Sequence, residues 1–206
     1  MKEITEESLS ALRERVLSNM SPKRFRHTVA VEEMVARLCA LYCPEHTAKM
    51  RAAALLHDVT KELSVEEQIA LCAAEGMPLL EGDLLVVETL HEKSAPAMIR
   101  RDFPECATEE ILSAVRYHAT GRENMSTLEM AVFLADYIEP GRPYVGCQEA
   151  RALFWERAER DGAPSALEDT VFDVLGKTLI HLTEKKRFVD LETVAAFNYF
   201  VRQKRQ

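Results

Sequence analysis

The chain has 206 residues, 47% of them apolar, with 7 glycines and 8 prolines. That is enough apolar material for one folded core, and it argues against a loop-rich or low-complexity chain. A formal charge of -8 argues against a protein that coats nucleic acid, which needs a basic face. It leaves room for a small anionic substrate at a locally positive site.

The five cysteines (Cys39, Cys43, Cys72, Cys106 and Cys147) form no C-x-x-C pair. The opening MKEITEES is acidic and lacks an apolar signal region. No apolar stretch reaches membrane-spanning length. These features predict a reduced, cytoplasmic protein with no membrane contact, its cysteines serving as small core residues.

Helix punctuation runs through the whole chain. Thr5 is placed to cap a first helix with Leu9, Leu12 and Val16 on one stripe. Ser21-Pro22 opens a second, carrying Phe25, Val29, Val35 and Leu38. A third follows Pro44 and runs through Met50 and Ala54 to His57. Ser64 and Glu67 form a capping box, and Gly76 closes that helix. Residues 78–93 read as a short helix or ordered loop holding His91, and Ser94-Ala95-Pro96 as the start of the next helix. Thr108 caps a helix that stops at Gly121. Ser126 and Glu129 box another through Asp136, and EPGRP (Glu139 to Pro143) breaks the pattern. Helices follow from about Gln148 to Arg160, from a box at Ser165 and Glu168 to about Lys186, and after an Asp190 cap. No period-2 strand and no repeat stands out. The expected fold is all-α: a single compact helical bundle over residues 1–206.

The stretch AALLHDVTK (Ala53 to Lys61) poses the chemical question, because an apolar run ends in His57-Asp58. Such groups are buried only when paired, hydrogen-bonded or bound to metal. Of six histidines, His46 and His181 sit in polar helix surroundings and are expected to be exposed and inert. The other four adjoin apolar segments. His57, His91 and His118 each end one, and His27 opens the stripe of its helix. Asp136 follows AVFLA in the same manner. Any one alone is best read as a hydrogen-bonded core residue. Six such groups on five segments, if they converge, are satisfied together by metal, since imidazole and carboxylate are ligands of first-row ions. A carboxylate bridging two ions fits that count better than one open site, and paired ions suit phosphate-ester chemistry.

The order His27, His57-Asp58, Asp136 resembles the HD superfamily of metal-dependent phosphohydrolases. FRHTVAV, ALLHDVTK, YHATGRENMSTLEMAVFLADYIEPGR and the EAR ending at Arg151 resemble, more narrowly, the bacterial YqeK-type family of symmetrical diadenosine tetraphosphate hydrolases. The similarity runs from about Pro22 to Arg151 and continues more faintly beyond. TLHEKSAPAM departs from that family's small, Gly-bearing sequence after the histidine, and Ala119 stands where Thr is common. The resemblance implies an HD metal-binding core over 22–140, with 148–206 as a helical extension packed on it. It also implies two divalent or mixed-valence transition-metal ions, iron first, with manganese, cobalt or zinc as alternatives. His27, His57, Asp58 and Asp136 would hold one ion. Asp58 would bridge to a second, carried by His91 and His118. The implied reaction is symmetrical cleavage of diadenosine tetraphosphate, or a related dinucleoside polyphosphate, to two ADP by a hydroxide held between the ions.

Charge building on phosphoryl oxygens calls for cations nearby. Lys61 lies about one turn after the His-Asp pair and is placed to act in catalysis with Asp58 and to bind substrate. Arg122, Arg142 and Arg151 are candidates to grip phosphate, with Thr120 and Gly121 as neutral donors. Arg24 and Arg26 read equally as functional or surface charges. Glu139 either orients Arg142 or ends a helix. Phe133, Tyr137 and Tyr144 are candidates for nucleobase contact. FNYFV in the last helix is core or the face of a homodimer. Two other readings stay open: an HD-type phosphohydrolase acting on another nucleotide, and a nucleotide-binding module without catalysis.

Overall fold

The computed structural model describes residues 4–160 and 163–205. Among these the secondary structure is wholly helical: α1 (Glu6–Leu17), α2 (Pro22–Tyr42), α3 (Thr47–Leu56), α4 (Val65–Ala74), α5 (Glu81–Leu85), α6 (Leu90–Asp102), α7 (Glu109–Arg116), α8 (Thr127–Ile138), α9 (Val145–Arg160), α10 (Ala163–Glu184) and α11 (Leu191–Lys204). Single 3-10 turns stand at Pro44–His46, Val87–Thr89 and Pro104–Cys106.

Capping by short polar side chains starts most of the long helices. Thr5, Ser21, Ser64, Thr108, Ser126 and Asp190 each accept a first-turn amide, satisfying donors that have no intrahelical partner. Three starts differ from the sequence expectation. Helix α6 begins at Leu90, a turn before Ser94, and carries Pro96 in its interior. Burial overrides the local signal there, since Leu90 to Ala97 are all buried. The helix end at His91 is fixed from outside, where the Thr60 hydroxyl donates to the His91 carbonyl at 2.8 Å. Helix α9 begins at Val145, because the Tyr144 carbonyl accepts from Cys147 and Gln148. Helix α10 begins at Ala163, which places Ser165 inside it; Pro164 falls in the first turn, where a missing N–H costs nothing.

Helix α8 forms the centre, with Glu129 to Ala135 all buried, and it packs against α2, α3, α7, α9 and α10. Complete burial of one residue such as Leu134 stabilises by about 1.5–3 kcal/mol. Ala52, Ala53 and Ala54 are fully buried, and their small size lets α3 lie close to α2. The buried Glu32 carboxylate ties three helices, accepting from Arg13 at 2.6 Å and Arg51 at 3.0 Å. Helix α11 lies on α10, where Phe197 stacks on Phe172 at 5.1 Å and Phe200 is buried, so the FNYFV stretch gives two rings to the core while Asn198 stays exposed.

Candidate metal centre and substrate cleft

Helix ends carry most of the functional groups. His57 caps the C-terminus of α3 and Asp58 follows in the turn. His91 sits in the first turn of α6, His118 in the turn after α7, Asp136 in the last turn of α8, and His27 in the second turn of α2. The apolar runs before His57, His118 and Asp136 bury their helices, so the polar ends are delivered to the interior; His91 instead opens a buried helix after a stretch in which Leu84, Leu85 and Val87 are exposed, and His27 lies just ahead of the buried stripe of α2.

All six groups meet. Asp58 is at the middle, with its two carboxylate oxygens facing different partners. Oδ2 lies 3.3 Å from His57 Nε2 and 3.7 Å from His27 Nε2, and accepts from Arg24 at 2.6 Å. Oδ1 lies 3.3 Å from His91 Nε2 and 3.9 Å from His118 Nε2. Asp136 Oδ1 lies 2.9 Å from His27 Nε2 and 3.8 Å from His57 Nε2.

The ring protons are assigned by what the other nitrogens touch. His57 Nδ1 faces the Ala54 carbonyl at 2.6 Å, and His118 Nδ1 the Val115 carbonyl at 2.7 Å. A carbonyl only accepts, so each Nδ1 carries a proton, and in the neutral ring each Nε2 presents the lone pair. His27 Nδ1 faces Glu139 Oε1 at 3.1 Å, with the same consequence. Nε2 of His27 and of His57 is buried and makes no hydrogen bond, although carboxylate oxygens stand within 2.9 and 3.3 Å. Lone pairs held against carboxylates without a proton between them repel. A cation at that point removes the repulsion, and imidazoles oriented through their far nitrogen by a carbonyl or carboxylate are the usual ligands of such ions. The donor set therefore fits a transition-metal centre. Ligand atoms of His27, His57 and Asp136 converge within 4.8 Å of one another, as do those of His57, Asp58 and His118.

His91 is held differently. The Lys61 ammonium lies 3.0 Å from its Nδ1 and donates to the Glu88 carbonyl at 2.9 Å. His91 Nε2 faces His118 Nε2 at 3.0 Å. Its ligand atoms belong to neither convergent group.

The electrostatics favour cation binding. Burial opposes ionisation of Asp58, but His57, then His91 and His118, hold its carboxyl well below the usual range. Burial also opposes ionisation of Asp136, and Arg142, His27 and His57 outweigh it. Burial and then the His57 neighbour push His118 down to about 4, so its imidazole is neutral near pH 7. Burial alone would lower His57, yet Asp58 and Asp136 raise it. Those carboxylates favour any positive charge at its Nε2, a metal ion as well as a proton.

A cleft of about 730 Å³ opens onto the cluster, a size suited to a nucleotide-scale ligand. Arg24, Lys61, Arg142 and Lys177 line it, and so do Phe133, Tyr137 and Tyr144. Arg142 clamps Asp136, donating to its carboxylate and, at 2.9 Å, to its carbonyl.

Four residues expected to bind substrate do not line this cleft. Thr120 is buried and donates its hydroxyl to Glu92 at 2.7 Å. Gly121 shapes the turn: its φ is +68°, and a Cβ there would meet Met125 Sδ at 3.2 Å. Arg122 pairs with Glu129 at 2.7 and 3.0 Å. Arg151 donates to the Ile138 and Glu139 carbonyls, both at 2.5 Å. The partners of these four, Glu92, Met125, Glu129, Ile138 and Glu139, also lie outside the residues that line the cleft. Conversely, Lys177 and His181 of α10 line the cleft; His181 is exposed, as its polar surroundings predict, but it borders the cleft. Their i, i+4 spacing was the available signal. Glu92, which accepts from the amides of Ala119 and Thr120 at 2.9 and 3.2 Å, was not singled out at all.

Helical architecture and an ordered His, His-Asp, Asp cluster at helix ends define a class of metal-dependent hydrolase. A model of the HD domain matches residues 24–141, and the chain belongs to this divalent-metal-dependent family. Among its relatives is the symmetrical bis(5'-nucleosyl)-tetraphosphatase of Staphylococcus aureus, 31% identical over 180 residues, 86% of this chain and 87% of that one. The protein of the same name from Bacillus subtilis is 30% identical, over 95% of this chain and 97% of its own. A crystal structure of a predicted HD superfamily hydrolase involved in NAD metabolism from Clostridium acetobutylicum superposes with a TM-score of 0.83 at 30% identity. The match covers 94% of this chain and 97% of that one. No helix among the described residues is long and apolar enough to cross a membrane.

Proposed function

We propose that this protein hydrolyses diadenosine tetraphosphate, and related dinucleoside polyphosphates, symmetrically to two ADP at a two-metal centre. The carrying observation is Asp58, whose two oxygens face two separate histidine pairs. That is the disposition a bridging carboxylate requires. His27, His57, Asp58 and Asp136 would hold one ion; His91 and His118, with Asp58, would hold the second. Iron is the first metal to test, then manganese, cobalt and zinc. When bound, such ions supply Lewis acidity and a deprotonated water near neutral pH.

The chain's own residues do the rest. Lys61, Arg24, Arg142 and Lys177 outnumber the lining carboxylates Asp58, Glu88 and Asp136, which favours a tetraphosphate on an otherwise acidic protein. Lys61, the ammonium nearest the cluster, neutralises charge on the central phosphates. Tyr144, Tyr137 and Phe133 offer aromatic surface to a nucleobase. Arg142 and Glu139 position Asp136 and His27. In the reaction, oxygen from water bonds to one central phosphorus, the central P–O–P bond breaks, and the other ADP departs. The names of the relatives support this substrate.

The chain is read as one domain, a core over 22–140 with 148–206 packed on it. The family match ends at 141, and α10 packs on α8 and α9. Five free, buried cysteines support a reducing cytoplasmic setting. The test is product identification with manganese- or iron-loaded protein. Two ADP are expected. ATP with AMP overturns symmetrical cleavage, and no nucleotide product overturns the activity.

A further inference from the structure

A second pocket of about 390 Å³ adjoins the metal cleft, and Glu88, Ala119 and Thr178 line both. These shared residues lie at one end of the cluster: Ala119 follows His118, and the Glu88 carbonyl holds the Lys61 ammonium that also touches His91. Phe133, Tyr137 and Tyr144 lie at the other end, beside Asp136 in sequence. The second pocket has apolar walls from Val86, Leu182 and Phe188 and is rimmed by Lys186 and Arg187. The turn that carries Phe188 is defined, since the Arg187 amide donates to the Leu182 carbonyl at 2.9 Å and closes α10.

Among the described residues, the exposed large apolar side chains include two aromatics, Tyr144 at 67% and Phe188 at 61%. One lines the metal cleft and the other the second pocket. Each thus presents an uncovered ring on one side of the cluster. A ring left uncovered beside a charged groove is the form of a stacking platform for a base. A symmetrical substrate cut at its middle needs one such place on either side of the metals.

We infer that the second pocket receives one nucleoside of the substrate, with Phe188 as its stacking face, while the Tyr144 end receives the other. This rests on the dinucleoside polyphosphate reading above. The two sites together set the central phosphates over the cluster, and Lys186 and Arg187, the latter 3.5 Å from Glu88, rim the second pocket.

The test compares diadenosine tetraphosphate with adenosine tetraphosphate, which has the same phosphate chain and one nucleoside. In metal-loaded wild type, the inhibition constant of the latter divided by the KM of the former reads what the second nucleoside adds. That ratio is expected to exceed ten. Base–aromatic stacking is worth about 1–3 kcal/mol, so Phe188→Ala is expected to lower the ratio about tenfold, and Phe188→Trp to restore it. Leu182→Trp, which fills the pocket, lowers it too. A wild-type ratio near one, or a ratio unmoved by Phe188→Ala and Leu182→Trp, overturns the inference while leaving the catalytic reading intact. Failure of wild type to cleave diadenosine tetraphosphate overturns both.

Discussion

The half of the cluster around Asp136 and the half around His91 draw on the same ligand types but are held in different ways. In the first, the rings of His27 and His57 are fixed through Nδ1 by Glu139 and by the Ala54 carbonyl, and both Nε2 lone pairs face carboxylates. In the second, His118 is fixed by the Val115 carbonyl, but His91 rests between Lys61 and His118. Partners behind a ligand decide its tautomer and orientation. The first half is therefore preorganised at its histidines, although Arg24 and Arg142 already donate to its carboxylates, Asp58 Oδ2 and Asp136 Oδ1. The second requires Lys61 to give up His91 before an ion can take it. On the two-metal proposal, loading in two unequal steps is expected, with the side whose histidine tautomers are already set, that of Asp136, filling first.

The largest expected effect removes the group common to both halves. Asp58→Ala should abolish metal retention in both and lower turnover by at least about 10³-fold, corresponding to several kcal/mol of charge stabilisation. Elemental analysis beside an ADP-release assay checks it. A variant that keeps its metal and its rate would break the comparison at its root. Removing the metals from wild type comes next. A ligand at a hundredfold excess over its Kd stabilises by about 2.7 kcal/mol, and a domain of this size shifts by about 2–4 °C per kcal/mol. Chelation should therefore lower the Tm by about 5–10 °C, and manganese should restore it. An unmoved Tm contradicts binding to the folded state.

The two smaller effects separate the halves. Glu139→Gln keeps the shape but weakens the acceptor behind His27, and should reduce affinity at the first-filled site about 10–100-fold. A two-site manganese titration reads this, and equal weakening of both sites would deny the assignment. Lys61→Met frees His91. A hydrogen bond from a charged group is worth about 1.5–3 kcal/mol, so the second site should bind about tenfold more tightly while turnover falls. Weaker binding there would mean that Lys61 supports His91 rather than competing for it.

His57, His118 and Asp136 are legible because each ends an apolar run that buries its helix and delivers the polar end inside; the run before His91 points to the right residue although Leu84, Leu85 and Val87 in it are exposed. The groups behind the ligands are less legible. Glu139 meets His27 across 112 residues, and nothing local to EPGR distinguishes orienting a histidine from orienting Arg142. Thr120 and Arg122 look available in sequence, but Glu92 and Glu129 take them up in the fold. Pro96 looks like a helix start, but tertiary burial of Leu90 to Ala97 draws the helix back one turn and places His91 on it. Capping boxes are legible where short-range hydrogen bonds decide, at Ser64 and Ser126. At Ser165 the helix had already begun.

Anomalous diffraction from crystals grown with manganese examines the bridging role of Asp58 most directly. Two peaks are expected, one in contact with Oδ2 of Asp58 near His27, His57 and Asp136, the other in contact with Oδ1 near His91 and His118. A single peak, or a pair of which one lies out of reach of Asp58, would contradict a centre built around that carboxylate.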